Sequence, residues 1–229
     1  GEKKNILTFA VLHFIDFLTF DCLLSKNETL KMLKKVKNYY LIQERQNDRV
    51  FNQAWIAAED YYNSRNVPLG KLSKNNYIAL QVYVNASTNF YKSFNNATRT
   101  QKTSYNTFKY HSLHFFLTDA IRKLNIKKLL TTFRGTNIRF HVKSLTIRFG
   151  QFTSSSESQI IIETYFGASI KKYSYLLHEE EVLIPPYEVF DITSVKLKKH
   201  IPDLWCEAVY KLQSTKLPKS DLNCQMVRF

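Results

Sequence analysis

The chain has 229 residues, of which 44% are hydrophobic and 14% are aromatic. This composition excludes an intrinsically disordered protein and predicts a single globular domain over residues 1–229. The formal net charge of +14 favours anionic partners such as nucleic acid, glycans or an anionic membrane surface, although basic residues spread along the whole chain equally suit a solubilising surface.

The N-terminal segment is the first apolar stretch of the chain. Residues 5–20 follow Lys3 and Lys4 and resemble the core of a signal peptide. His13 and Asp16 interrupt this stretch, and no small-residue cleavage pattern follows it, so we interpret it as the start of the mature domain. No charge-free apolar run reaches roughly eighteen residues, which argues against a transmembrane helix.

Helices are predicted over the first part of the chain, to about residue 128. Ser25 and Glu28 have the spacing of a capping box, and leucines repeat with helical period behind them. This places the lysines at 31, 34, 35 and 37 mostly on the solvent face. Further helices are predicted at about 48–64, 74–94 and 109–125. The apolar stripe of the 48–64 helix comprises Val50, Phe51, Ala54, Ala57, Ala58 and Tyr61. That of the 109–125 helix comprises Leu113, Phe116, Leu117, Ala120 and Leu124.

Short β-branched and aromatic runs replace the helical period from Leu129 onward. Strands this short and this closely spaced predict antiparallel pairing rather than strand–helix–strand crossovers. The fold class predicted from the residues is therefore α+β, with helices first and a β-rich core over about 129–229. The predicted strands are 129–134, 138–142, 145–152, 159–166, 169–175, 181–184, 188–197 and 205–213.

Several kinds of cofactor site are excluded by the sequence. His111 and His114 lie three residues apart on a predicted helix, but no cysteine or carboxylate nearby completes a ligand set, so we predict no metal site. The chain also contains no Gly-x-Gly-x-x-Gly and no P-loop pattern, which excludes Rossmann and Walker nucleotide sites.

Three segments combine polar side chains with strand patterns. Glu179, Glu180 and Glu181 run into an apolar strand that Pro185 and Pro186 end. On a strand Glu179 and Glu181 share one face, about 7 Å apart, and repel each other unless a cation lies between them. Upstream lie the segments Thr131-Thr-Phe-Arg-Gly-Thr136 and Ile147-Arg-Phe-Gly-Gln-Phe-Thr-Ser-Ser-Ser156. Taken alone, the glutamate run is typical of a solvated edge strand, the arginine–glycine pair of a surface position beside a turn, and the serine run of a loop.

Taken in this order, the three segments resemble the arginine–serine–glutamate signature of the mono-ADP-ribosyltransferases, and especially the vertebrate-type ecto-enzymes. The resemblance is clear from about Lys109 to Ile192. It implies a helical N-terminal lobe packed on two facing sheets with an NAD cleft between them. It also implies transfer of ADP-ribose from NAD to arginine side chains of target proteins, with release of nicotinamide and without a metal or nucleic acid.

The resemblance assigns roles to individual residues. Arg134 would hold the pyrophosphate and ribose of NAD, and Gly135 would let the backbone approach nicotinamide. Ser154, helped by Thr153, would orient the ribose. Glu181 would stabilise the positive charge that develops at the anomeric carbon, as carboxylates do in glycosidases. Further cofactor-binding candidates are Thr136, Gln151, Arg139 and Tyr83.

Two of these assignments carry an alternative or decide between activities. Tyr83 would border the adenosine end of the cleft, and the alternative is a plain core tyrosine. Glu179 would bind and deprotonate the acceptor guanidinium; in this family glutamate at that position accompanies arginine transfer, whereas glutamine accompanies NAD hydrolysis. Glu180 is predicted to be a surface residue.

The sequence also departs from the family. Only residues 157–159 stand between Ser156 and Ile160, where relatives carry a longer loop with an aromatic residue that stacks on nicotinamide. Leu176 and Leu177 stand where a basic residue is usual, so phosphate binding could fall to Arg148 or Lys172. Two alternatives therefore remain: an NAD glycohydrolase, and a catalytically silent relative that binds polyanions or a receptor.

Several features predict an extracellular setting. N-glycosylation sequons begin at Asn27, Asn85 and Asn96. By resemblance Cys22 and Cys224 form the disulfide that joins the two ends of the domain, a closure that stabilises by on the order of 4–5 kcal/mol. Cys206 is then left as a buried thiol. We predict a secreted protein, or one anchored to the membrane through a removed C-terminal signal.

Overall fold

A computed structural model describes residues 26–65, 68–85, 88, 90–101, 107–134, 146–155, 160–173, 181–204 and 206–218, with only the backbone described for Lys26, Glu28 and Thr153–Ser155. Within these ranges helices come first and strands follow, which confirms the α+β prediction. The predicted strand at 138–142 and the cysteines Cys22 and Cys224 lie outside the described residues.

The helices are α1 (Lys26–Lys35), α2 (Leu41–Asn47), α3 (Arg49–Arg65), α4 (Lys74–Val84), α5 (Phe90–Thr100) and α6 (His111–Leu124). The strands are β1 (Leu130–Arg134), β2 (Thr146–Arg148), β3 (Thr153–Ser155), β4 (Ile160–Thr164), β5 (Ala168–Ser169), β6 (Val182–Ile184), β7 (Glu188–Leu197) and β8 (Ala208–Pro218).

The first helix is longer than its capping pattern suggests. A π-helical turn at Val36–Tyr40 joins α1 to α2, and the backbone stays helical across both junctions. Met32 and Val36 are buried on one side of this long helix. The lysines at 31, 34 and 37 are exposed on the other side, as predicted.

Asp48 directly precedes helix α3, and its Oδ1 accepts the Phe51 N–H at 2.9 Å and caps the helix. Its bounds agree with the prediction, and its apolar stripe agrees in part. Val50 is 55% exposed and Ala57 is also exposed, whereas Trp55 is buried. Phe51, Ala54 and Ala58 are buried as predicted, and together with Trp55 they form the buried face of the helix.

The prediction of a single helix at 74–94 is wrong. The structure ends α4 at Val84 and begins α5 at Phe90. The Thr88 hydroxyl donates to the Asn85 carbonyl at 3.1 Å and accepts the Phe90 N–H at 3.3 Å. These local bonds compete with the helical ladder and end one helix while they cap the next.

A buried carboxylate joins α2 to the start of α6. Glu44 accepts the backbone N–H groups of His111 at 2.7 Å and Ser112 at 3.0 Å, and also the Ser112 hydroxyl. Burial raises the pKa of Glu44 to about 7, even though the bonds from Ser112 and His111 favour the charged form. This carboxylate supplies the helix cap that Tyr110 at the N-terminal end of α6 does not provide.

The described strands form two sheets. The five-stranded sheet has the order β1-β4-β8-β7-β2, and the three-stranded sheet has the order β3-β6-β5. Every pair is antiparallel except β4 with β8, so antiparallel pairing predominates as predicted and the larger sheet is mixed. Long connections bring β8 back beside β4, and the spacing of neighbouring strands cannot reveal such a return. The strand predicted at 169–175 is short, because β5 passes into a 3-10 turn at Lys171–Tyr173.

The three-stranded sheet contributes to two hydrophobic cores. Leu183, Ala168, Ile170 and Phe152 belong to the core of the helices. The neighbouring β6 residues Val182 and Ile184 belong instead to the core that contains Ile160, Ile162, Phe190 and Leu212 of the five-stranded sheet. Alternation along β6 therefore places this sheet between the helical lobe and the larger sheet. None of the described helices is long and apolar enough to cross a bilayer.

Candidate active site

The described parts of the three polar segments come together where β1, β3 and β6 lie beside one another. Arg134 is the last described residue of β1 and is half-buried. Glu181 directly precedes β6, and its side chain is 9% exposed. In the β3–β6 register Ser154 lies opposite Leu183, two residues from Glu181. Strands β1 and β3 also contact each other, so the three backbones meet in one region.

The charges of Arg134 and Glu181 act on one buried hydroxyl, that of Tyr83. Burial raises the pKa of Tyr83, the bond from Asn95 and the Arg134 charge oppose this rise, and the Glu181 and Tyr91 charges add to it. Burial also lowers the pKa of Arg134, while Tyr83 and Tyr91 oppose that shift. The arginine and the glutamate are 47 positions apart in the sequence, and both lie within electrostatic reach of the same side chain on α4.

The Tyr83 hydroxyl is engaged inside the protein. It donates to the Phe152 carbonyl at 2.9 Å and accepts from Asn95 Nδ2 at 3.2 Å. The side chain is only 4% exposed. This geometry favours the core-tyrosine alternative over direct contact with a cofactor.

Phe152 anchors the strand that carries Ser154. Its ring is fully buried, stacks on Phe94 at 5.6 Å between centroids and meets the edge of His114 at 5.0 Å. Since β3 begins at the next residue, the buried ring and the bond from Tyr83 fix where that strand starts. The helical lobe therefore positions the serine segment.

The backbone of Glu181 is also held in place. Its carbonyl accepts the Ile170 N–H at 2.9 Å, which continues the pairing of β5 with β6. The Tyr173 N–H donates in turn to the Ile170 carbonyl at 2.7 Å and closes the 3-10 turn. Lys172 in that turn is exposed, so one of the cations that could replace the missing basic residue lies near Glu181 in the fold.

A second buried carboxylate, that of Glu188, stabilises the turn between β4 and β5 and thereby supports the pairing of β5 with β6. It accepts the Tyr165 and Phe166 N–H groups at 2.7 and 3.1 Å, and also the Thr164 hydroxyl. The turn that it holds leads to Gly167, where an added Cβ would lie 2.7 Å from Thr164 Oγ1 and 3.2 Å from Val182 Cγ1. Only glycine allows this close approach of β5 to β6.

Of the other predicted site residues, some are described and some lie outside the described residues. Gln151 is half-buried next to Phe152, just after Gly150 turns the chain with φ +65°. Thr153 lies on β3 with its backbone alone described. Gly135, Thr136, Arg139, Glu179 and Glu180 lie outside the described residues.

Sequence reasoning missed Asn95, Glu44 and Glu188 as buried polar anchors. Among the described side chains no cluster of histidine, cysteine and acidic residues has a metal-binding arrangement. His114 is enclosed by aromatic rings, and burial lowers its pKa to about 3. A buried glutamate in an apolar run is the signal that could have identified Glu188, since a carboxylate there needs donors from elsewhere in the fold.

A helical lobe on two sheets, with an arginine, a serine segment and a glutamate in this order, is typical of ADP-ribosyltransferases. The family described as NAD:arginine ADP-ribosyltransferase matches residues 19–205, and the chain belongs to this family. The mouse T-cell ecto-ADP-ribosyltransferase 1 is 38% identical over 152 residues, which cover 59% of this chain and 51% of the relative. A chicken NAD(P)(+)--arginine ADP-ribosyltransferase 2 is 38% identical over 136 residues, which cover 51% of this chain and 43% of that protein.

The solved structures agree with these sequence matches. A mutant of the eucaryotic mono-ADP-ribosyltransferase ART2.2 in complex with NADH superposes with a TM-score of 0.71 and 30% identity, and the match covers 91% of this chain and 94% of that one. Another ART2.2 mutant, in complex with NAD, gives a TM-score of 0.69 at 31% identity over 85% of this chain and 90% of that one. By sequence, the chain spans about half the length of the curated relatives it matches.

Proposed function

We propose that this protein transfers ADP-ribose from NAD to arginine side chains of target proteins and releases nicotinamide. The observation that carries the proposal is the meeting of three strands: β1, which ends at Arg134, contacts β3, which carries Ser154, and β3 pairs with β6, which begins directly after Glu181. Membership of the NAD:arginine ADP-ribosyltransferase family supports the same activity.

Glu181 supplies the electrostatic part of the chemistry. The bond between the ribose anomeric carbon and the nicotinamide nitrogen breaks, and its electron pair leaves with nicotinamide. The sugar carbon becomes positively charged, and the nearby carboxylate stabilises it. Burial of Glu181 strengthens this interaction, because water screens it less than it would screen an exposed charge.

The remaining residues bind NAD and direct the acceptor. Arg134 binds the pyrophosphate and ribose, Gly135 lets the backbone approach nicotinamide, and Thr136 and Arg139 are further candidates for binding NAD. Ser154, with Thr153 and Gln151 beside it, orients the ribose. Glu179 binds the acceptor guanidinium and takes the proton that its nitrogen loses when the new bond to the sugar forms.

The activity is tested with NAD labelled in its adenylate half and with agmatine or poly-arginine as acceptor. We expect the label to move onto the acceptor in amounts equal to the nicotinamide released. Label recovered as free ADP-ribose would support an NAD glycohydrolase instead. An unchanged NAD pool would support a catalytically silent relative.

The glycohydrolase is the second candidate because of the departures noted in the sequence. Three residues at 157–159 replace a longer loop, and Leu176 and Leu177 replace a basic residue. Fewer contacts to nicotinamide and phosphate weaken the exclusion of water from the reacting carbon, and water then competes with arginine.

The location that we propose is extracellular. Relatives of this chain are named ecto-enzymes. Asn27 and Asn96 are exposed and Asn85 is half-buried, so the sequons at Asn27 and Asn96 are accessible to glycosylation. Cys206 is a buried free thiol, as predicted. The Cys22–Cys224 disulfide and a removed membrane anchor remain part of the proposal.

Replacing Tyr83 with phenylalanine tests whether the helical lobe positions the reactive strand. Tyr83→Phe removes the bond to the Phe152 carbonyl and keeps the ring, and we expect kcat for nicotinamide release to fall about tenfold or more with little change in KM for NAD. The matched control is Tyr110→Phe, because Tyr110 is buried in the same core and donates to Asp48 Oδ2 at 3.0 Å. Each variant should lose about 1 kcal/mol of stability. Equal losses of kcat would show that the effect of Tyr83 is only structural.

A further inference from the structure

The long N-terminal helix presents a basic face, formed by Lys31, Lys34 and Lys37. All three side chains are exposed, while Met32 and Val36 fix the opposite side of the helix in the core. Residues three apart on a helix have Cβ atoms about 5–6 Å apart, so the face is a stripe of positive charge about 10–12 Å long. The buried side holds the stripe in one orientation on the protein.

Basic residues outnumber acidic residues along this helix. Residues 26–47 contain five lysines and one arginine against two glutamates, Glu28 and Glu44. Glu44 is buried and bonded to the start of α6. Among the described side chains, the ion pairs form at Lys74, Lys123 and Lys211, none of which lies on this helix.

A second exposed group of three lysines has a different setting. Lys196, Lys198 and Lys199 lie where β7 ends and turns, and the Lys198 N–H donates to the carbonyl of the acidic residue Glu207. Asp203 lies in the same connection. This cluster has the same number of charges without a regular array, and acidic residues accompany it.

A fixed line of cations fits a linear polyanion better than a single anionic group, because each lysine can displace a counterion from the bound chain. Three chemistries share this property. An anionic membrane surface is characteristic of the cytoplasmic leaflet, which a protein outside the cell does not meet. Single-stranded nucleic acid needs several stacking rings, and among the described residues Tyr39 is the exposed ring on this helix. A sulfated glycan needs only the spaced cations.

We propose that the basic face of Lys31, Lys34 and Lys37 binds sulfated glycosaminoglycan chains. The choice of a glycan rests on the proposed extracellular location, but not on the proposed catalytic activity. The face belongs to α1 and the π-helical turn and contains none of the residues assigned to the active site. Binding there would concentrate the protein on glycan-coated cell surfaces.

The test is salt-dependent retention on immobilised heparin. The variant Lys31→Ala/Lys34→Ala/Lys37→Ala is compared with Lys196→Ala/Lys198→Ala/Lys199→Ala, which removes the same charge. We expect the first variant to elute at clearly lower salt, with the slope of log K against log salt reduced by about 2, and the second to change the slope by less than 1. Both should keep the melting temperature and the NAD-cleaving rate of the parent protein, so failure of this proposal is separable from failure of the proposed function.

Other outcomes would overturn the inference. Equal shifts in the two variants would mean that retention reflects overall charge rather than this face. Displacement from heparin by single-stranded DNA at lower concentration than by soluble heparan sulfate would identify nucleic acid as the partner. Preferential binding to vesicles that contain an anionic phospholipid would identify a membrane surface.

Discussion

Glu181→Gln is expected to lower the rate of ADP-ribose transfer by about a thousandfold or more, since it removes the charge opposite the developing positive carbon and keeps the shape of the side chain. The backbone at this position is fixed by the Ile170 N–H, so the amide should occupy the place of the carboxylate. Binding of NAD, measured by calorimetry, should change only a few-fold, because Arg134 and the strand of Ser154 are untouched. Loss of kcat with retained affinity separates an electrostatic role from a binding role.

The matched control for this variant is Glu163→Gln. Glu163 lies on β4 and pairs with Lys211 at 2.8 Å, and both side chains are partly exposed. Such surface pairs contribute little to stability, so this variant should keep the parent rate and melting temperature. A Glu181→Gln enzyme that retained more than a tenth of the parent rate would rule out the catalytic assignment.

Glu179→Gln is expected to separate the two activities of the site. Transfer to agmatine should fall about a hundredfold, because glutamine cannot accept the proton that the acceptor loses. Cleavage of NAD to free ADP-ribose should continue, since the charge of Glu181 remains. Both products are measured in one reaction by separating labelled ADP-ribose from labelled agmatine.

Glu180→Gln provides the comparison for that experiment. The neighbouring residue is predicted to lie on the other face of the strand, so its replacement should leave both activities unchanged. If Glu179→Gln transfers ADP-ribose as fast as the parent, the assignment of the acceptor site to Glu179 is wrong. If Glu180→Gln abolishes transfer instead, the prediction of which face carries the site is reversed.

The parts of the fold that the sequence predicts well are those set by neighbouring residues. The bounds of α3, α6 and β7 follow from local periods and from caps such as Asp48. The break between α4 and α5 was missed, although Thr88 and Asn85 could have signalled it through their capacity for local bonds. The parallel pairing of β4 with β8 depends on the path of the whole chain, which no window of sequence contains.

The site shows the same division. Arg134 and Glu181 were selected by their own motifs, and the structure brings the end of β1 and the start of β6 together through β3. The bond from Tyr83 to the Phe152 carbonyl spans 69 positions, and no motif indicates that these residues meet. The donors that satisfy Glu44 and Glu188 come from backbone far along the chain, so the neighbouring residues do not show which groups either glutamate would bind.

The division of β6 between two cores limits how small a working version of this protein can be made. A fragment that began near residue 129 would contain Arg134, the serine strand and Glu181, and so every one of the three active-site motifs. It would also expose Phe152, Ile170 and Leu183, which are all fully buried in the intact protein. Such a fragment should collapse or aggregate rather than react, so the helical half is required for the active site to form and cannot be removed.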